Sequence, residues 1–163
     1  MFMTIKIETE AKIKIHYSTF KRLKNRLGTS EFFKQTNYYF QNSLDEIIRL
    51  RCENNQVILN RKTKIENCSE FKSEKEEEIL ISINDPEKLL SYLGFERIFC
   101  YTKERANFNL NNCIISLDKL ENQYFIEIEG KENDIETVID ELEMRNECFE
   151  KRSYFEILGG KKK

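Results

Sequence analysis

Acidic and basic side chains recur at every second position in several segments of this 163-residue sequence. In the first segment, IETEAKIKI (residues 7–15), aliphatic positions alternate with Glu8, Glu10 and Lys12. Such alternation indicates a β-strand with one apolar face and one charged face. Carboxylates can bind a divalent metal ion, and Lys and Arg can hold phosphate oxygens. The charged face is therefore either solvated or the lining of a site that binds ions.

Further segments repeat this design with different charges. The basic ones carry Arg49 and Arg51 in IIRLRCE, Lys62 in VILNRKTKI, and Lys103 and Arg105 in FCYTKERANFNL. The acidic ones carry Glu76 and Glu78 in KEEEILISI, Asp118 in CIISLD, and Glu127 and Glu129 in YFIEIEG. One interpretation is an open antiparallel sheet whose charges pair across strands on a solvated face. The other is a closed barrel with these charges inside, which would suit a polyanionic ligand bridged by metal ions.

Three helices are expected between the strands. Residues 17–27 end before Gly28, residues 86–93 follow an N-cap at Asp85, and residues 134–145 follow Asn133 with Glu136 three positions on. Their apolar stripes need an apolar sheet face to cover. A closed barrel of about eight strands is wide enough for a small ligand. We therefore expect an α+β fold: an eight-stranded antiparallel closed β-tunnel with a charged interior and helices packed outside. The charge run KSEKEEE, residues 72–78, is expected to be a solvated loop entering a strand.

Composition narrows the class of protein. A net charge of −2 with 34% charged residues gives no support for nucleic-acid binding. The five cysteines form no C-x-x-C pair and there is one histidine, which argues against a Cys/His zinc site. Without a long apolar run, no membrane association is expected. We expect a cytoplasmic protein with one domain over residues 1–158 and a flexible tail over residues 159–163.

The order of the motifs resembles the CYTH family, also called triphosphate tunnel metalloenzymes, which includes class IV adenylyl cyclases, thiamine triphosphatases and inorganic triphosphatases. The resemblance begins with Glu8-x-Glu10-x-Lys12 and runs to Leu158. The other matching segments are QTNYYFQNSLDEIIRLR, VILNRK, DPEKLLSYLGFERIFCYTKER, CIISLD, YFIEIEG and SYFEIL. Two departures concern the tunnel mouths: Gln41 replaces an acidic residue, and LENQYF lacks glycines often seen there. The organic group of the substrate therefore stays open.

The resemblance implies roles for residues at the matching positions. Phosphate binding falls to Lys12, Arg49, Arg51, Lys62, Lys103 and Arg105. Binding of Mg²⁺ or Mn²⁺ falls to Glu8, Glu10, Glu127 and Glu129, with Asp118 and Glu78 nearby in support. Either Glu76 or Glu78 could fill the acidic position of this segment. The spacing to Asp85 favours Glu78. The catalytic group would be Glu8, Glu10, Lys12 and Glu129.

Three functions remain open at the level of sequence. The first is a metal-dependent hydrolase of tripolyphosphate, a nucleoside triphosphate or thiamine triphosphate. The second is a class IV-type adenylyl cyclase that converts ATP to cAMP and pyrophosphate. The third is a module that binds triphosphate without turnover. The expected partner is a small-molecule triphosphate, and the protein could be a monomer or a homodimer.

Overall fold

The computed structural model describes residues 3–161, in which eight strands form a closed antiparallel barrel. The strands are β1 (Met3–Ile15), β2 (Phe33–Gln41), β3 (Ile47–Glu53), β4 (Gln56–Ile65), β5 (Lys72–Ile81), β6 (Glu96–Leu110), β7 (Cys113–Leu120) and β8 (Gln123–Glu129). Around the barrel the order is β1-β5-β4-β3-β2-β6-β7-β8, and β8 pairs with β1 to close it. The predicted fold is confirmed.

Four helices accompany the barrel in the described residues: α1 (Tyr17–Leu27), α2 (Pro86–Tyr92), α3 (Glu132–Glu141) and α4 (Tyr154–Ile157). Helices α1 and α3 lie against the outer face of β1, β7 and β8. There Leu23, Val138 and Leu142 pack with the apolar positions of those strands, such as Ile13 and Ile128. This is the apolar parity that alternation predicted. None of the described helices has the length and apolar character needed to span a membrane.

The helix bounds follow the sequence signals unevenly. Helix α1 has the predicted bounds, and α2 begins as expected because the Asp85 carboxylate accepts a hydrogen bond of 2.9 Å from the Lys88 N–H. The predicted cap of α3 at Asn133 is wrong: the N-cap is Lys131, without a side-chain cap. The chain leaves β8 at Gly130, whose N–H donates to the Thr9 carbonyl, so the helix starts immediately afterwards.

Helix α4 was not predicted, although its signal stands in the sequence. Ser153 and Glu156 form a capping box, in which each side chain accepts from the other residue's backbone N–H. Beyond this helix the N–H groups of Gly159 and Gly160 donate to carbonyls within it, at 3.2 and 2.8 Å. The last two residues of the predicted tail, 162 and 163, lie outside the described residues.

The charge run of residues 72–78 is a strand, so the predicted loop is wrong. It forms most of β5, and Lys72, Ser73 and Glu76 in it are buried. The physical reason is that β5 lies between β1 and β4. Residues on the inward faces of those strands carry charges opposite to those of β5, such as Glu10 beside Lys72 and Lys62 beside Glu76. The inward residues of the run are thus paired inside the barrel, while Lys75 and Glu77 pair on its outer face.

Candidate functional site

A cavity of about 550 Å³ lies inside the barrel. Strand alternation turns the charged parity of each strand toward it, and most of the predicted site residues are in its lining. Those are Glu8, Glu10, Lys12, Arg49, Arg51, Lys62, Lys103, Arg105, Glu127 and Glu129. The other two, Asp118 and Glu78, are not lining residues but contact the cations that are. The structure thus brings the whole predicted set together.

Asp118 lies behind two of the lining cations. Its carboxylate is fully buried and accepts from Lys103 at 2.8 Å, from Arg105 at 2.7 and 2.5 Å, and from the Tyr154 hydroxyl at 2.7 Å. Burial alone would raise the pKa of Asp118, but Arg105 and Lys103 lower it overall. Burial and the neighbouring Arg105 lower the pKa of Lys103 to about 8. Asp118 therefore holds two cations in place and keeps its own charge.

Lys12 lies between two carboxylates, Glu10 on its own strand and Glu127 on the adjoining β8. Its ammonium lies 3.2 Å from Glu10 and 3.2 Å from Glu127, and 4.7 Å from the centre of the Tyr154 ring. Burial opposes its charge, yet Glu127 and Glu10 raise the pKa of Lys12 above its ordinary value. Lys12 is therefore a charged lysine at neutral pH, held inside the barrel.

The opposite wall carries a second set of ion pairs. Arg49 lies 3.5 Å from Glu76, and Arg51 lies 2.5 Å from Glu78. Lys62 contacts Glu76 at 3.3 Å and also pairs with the first strand. Burial would raise the pKa of Glu76, but Lys62 and Arg49 lower it to about 2. Both candidates for the acidic position of β5 therefore take part in the charged interior.

Some polar atoms in this part of the barrel have no hydrogen-bond partner. Among the described residues, the buried side-chain atoms without a hydrogen bond are both carboxamide atoms of Asn37 and the Nε atoms of Arg49 and Arg51. Asn37 pairs in register with Arg51. An unpaired buried polar group costs about 1–3 kcal/mol. The two arginine Nε–H groups are donors on residues that line the cavity, so they are suited to an anion there.

Several side chains that line the cavity or lie beside it were not identified from the sequence. Lys72 and Glu74 line the cavity, and Lys6 reaches the acidic side chains beside it. The signal was available, because Lys6 shares the parity of Glu8 and Glu10, and Lys72 and Glu74 share that of Glu76. Tyr154 escaped because α4 was not predicted.

The acidic residues fit a divalent ion in their chemistry. The Lys6 ammonium lies 3.1 Å from Glu129, 3.2 Å from Glu76 and 3.7 Å from Glu8, and we refer to these three carboxylates as the acidic trio. Burial and the nearby Glu8 raise the pKa of Glu129 to about 7. Carboxylate oxygens crowded in this way are typical ligands of Mg²⁺ and Mn²⁺. Within residues 3–161, no group of three or more acidic, cysteine or histidine side chains has the geometry to hold a metal ion as it stands, and Lys6 lies among the carboxylates of the trio.

These features define a class of protein: a closed antiparallel barrel whose interior is lined by cations from several strands together with carboxylates. Residues 6–154 match the family model described as the CYTH domain. The chain therefore belongs to the CYTH family, a family of metal-dependent triphosphate tunnels, and the predicted membership is confirmed. No curated protein matches the sequence.

Solved structures share the fold over almost the whole chain. A Pyrococcus horikoshii protein is 26% identical, with a TM-score of 0.69 over 93% of this chain and 97% of that one. A candidate adenylate cyclase from Bacillus halodurans is 18% identical, with a TM-score of 0.76 over 96% of this chain and 99% of that one. A candidate adenylyl cyclase from Hippeastrum, described as having a dominant triphosphatase activity, is 18% identical, with a TM-score of 0.68 over 92% and 94%. The last two likenesses show the fold alone.

Proposed function

We propose that this protein is a divalent-metal-dependent hydrolase of triphosphate substrates, with tripolyphosphate, a nucleoside triphosphate or thiamine triphosphate as candidates. The observation that carries the proposal is the lining of one cavity by cations from several strands together with a group of carboxylates. A triphosphate is the small ligand whose charge matches such a set of cations. The carboxylates would add little to an anion binder without a metal.

The proposed role of the cations is to position the substrate and to neutralise its charge. Arg49 and Arg51 on β3, Lys62 on β4, and Lys103 and Arg105 on β6 would hold phosphate oxygens from different sides, and Lys12 on β1 would complete the set. Phosphoryl transfer depends mainly on such positioning and on electrostatic stabilisation. Asp118 and Glu78 would act through their cations, because their contacts are with Lys103, Arg105 and Arg51.

The proposed metal ligands are Glu8, Glu10, Glu127 and Glu129. Glu10 and Glu129 are paired in register on β1 and β8, and Lys12 and Glu127 are the next inward pair. Metal chemistry would consist of neutralising phosphate charge and activating the water that attacks the terminal phosphorus. Without a bound ligand, lysines of the protein pair with these carboxylates, such as Lys12 with Glu10 and Glu127. The phosphate groups of a substrate would compete with the carboxylates for those lysines.

A second candidate is a class IV-type adenylyl cyclase. Tyr39, Tyr101, Ile47, Ile48 and Phe155 line the same cavity. These side chains offer an apolar region beside the charged one, which suits a substrate with an organic group. The Bacillus halodurans and Hippeastrum structures are described as candidate cyclases, which is the reason to test for cyclase activity. The Hippeastrum protein is also described as having a dominant triphosphatase activity, which favours hydrolysis.

The test is to identify the products formed with Mg²⁺ or Mn²⁺ from ATP, tripolyphosphate and thiamine triphosphate in separate reactions. Release of orthophosphate would support the hydrolase, and the substrate that is hydrolysed fastest would be identified as the preferred one. Pyrophosphate together with cAMP from ATP would replace it with the cyclase. Binding without any product would leave a binding module.

Matched variants separate the site from trace contamination. Glu10→Gln and Glu129→Gln should lower turnover steeply, since each removes a proposed metal-binding charge. Arg51→Ala should weaken triphosphate binding. The control is Glu104→Gln, because the Glu104 carboxylate is exposed and paired with Lys119 on the barrel surface. Full activity in both site variants would overturn the metal assignment.

A further inference from the structure

Lys6 is a cation of the protein that lies among proposed metal ligands. It is two positions before Glu8 on the inward parity of β1, and its side chain is 40% exposed. Its ammonium contacts the whole acidic trio and donates a hydrogen bond of 3.1 Å to Glu129. Glu8 and Glu129 in this trio are carboxylates that we assign to the metal.

A lysine ammonium and a divalent ion cannot share such a position. At these distances two positive charges repel each other strongly, and the oxygens that face the ammonium are no longer free to bind a metal. Lysine has a flexible four-carbon stem, and the partial exposure of Lys6 leaves a path toward solvent. The same carboxylates could thus exchange one cation for the other.

We propose that Lys6 is a built-in competitor for the metal: it occupies the acidic trio when no divalent ion is bound and must leave when one binds. Lys6 therefore weakens metal binding, and it also relieves the repulsion among the carboxylates in the metal-free protein. This inference rests on the proposed function, because it assumes that Glu8 and Glu129 bind metal.

The experiment measures Mn²⁺ binding to the full chain by calorimetry, without any phosphate compound. Lys6→Met keeps the length of the side chain but removes its charge, and it should bind Mn²⁺ about two- to fivefold more tightly than the wild type. Lys6→Gln should behave in the same way, and Lys6→Arg should stay close to the wild type. The matched control is Lys75→Met: Lys75 has a similar exposure and pairs with Glu77, so its loss should leave the affinity unchanged.

The outcomes distinguish this inference from the proposed function. Equal or weaker Mn²⁺ binding in both Lys6→Met and Lys6→Gln would overturn the competition and leave the metal site standing. The same tightening in Lys75→Met would also overturn it, because a general change in surface charge would then explain the effect. If neither the wild type nor Lys6→Met bound Mn²⁺, both this inference and the proposed metal dependence would fail.

Discussion

Asp118→Asn removes the negative charge of a fully buried side chain while keeping its shape. The wild-type carboxylate accepts from Lys103, from two nitrogens of Arg105 and from the Tyr154 hydroxyl, all within 2.5–2.8 Å. The amide of Asn would have to turn its NH₂ group toward one of these donors. Lys103 would then lose the carboxylate that it contacts, whereas Arg105 would keep its contact with Glu127.

The expected loss of stability follows from this geometry. Removing one partner of a buried ion pair costs about 3–5 kcal/mol, because the remaining charge stays buried and uncompensated. For a domain of this size each kcal/mol lowers Tm by about 2–4 °C, so Tm should fall by about 6–20 °C. The lower end applies if Lys103, whose pKa is already lowered to about 8, loses its proton in the variant.

The assay is thermal and urea unfolding of the variant beside Asp140→Asn. Asp140 pairs with Arg145 at 2.5 Å but both side chains are more than half exposed, so its loss should leave the transition unchanged. Tripolyphosphate should stabilise Asp118→Asn more than the wild type, because the anion supplies the missing charge. Equal stability of the two Asp→Asn variants would refute the inference that Asp118 holds Lys103 and Arg105 in place.

Further predictions concern single residues. The pKa of Lys103 in the protein without a ligand is about 8, and a bound anion would favour its charged form. At a pH just above 8, binding of tripolyphosphate without metal should therefore take up protons. Calorimetry in buffers of different ionisation enthalpy measures this uptake, and Lys103→Arg should abolish it; uptake retained in that variant would contradict the assignment. Ser153→Ala should cost about 1 kcal/mol in urea unfolding through the lost cap of α4, whereas no change would show that the cap is dispensable. Gly130→Ala should cost about 1–3 kcal/mol, since its Cβ would meet the Cys113 Sγ at 2.6 Å. Adding Cys113→Ala should restore most of that loss, and failure to do so would rule out the clash.

The extent of successful prediction can be followed residue by residue. Glu8, Glu10 and Lys12 were assigned to one face because alternation along an extended chain is a local property. Lys72 was missed because a dense charge run resembles a solvated loop until its neighbours are known. The start of α3 was misplaced by two residues because the hydrogen bond of Gly130 to the first strand, a non-local contact, decides where the chain turns.

The sequence by itself determined that this chain makes amphipathic strands whose charged faces could line a tunnel, and its motif order identified the family. Only the tertiary structure decided which charges meet. Closure of the barrel places β1 between β5 and β8, so that Lys6 reaches Glu129, 123 positions away in the chain. It also placed Asp118 behind its cations rather than in the cavity wall. These contacts depend on strand register and barrel closure, which are set by packing across the whole domain rather than by any one segment.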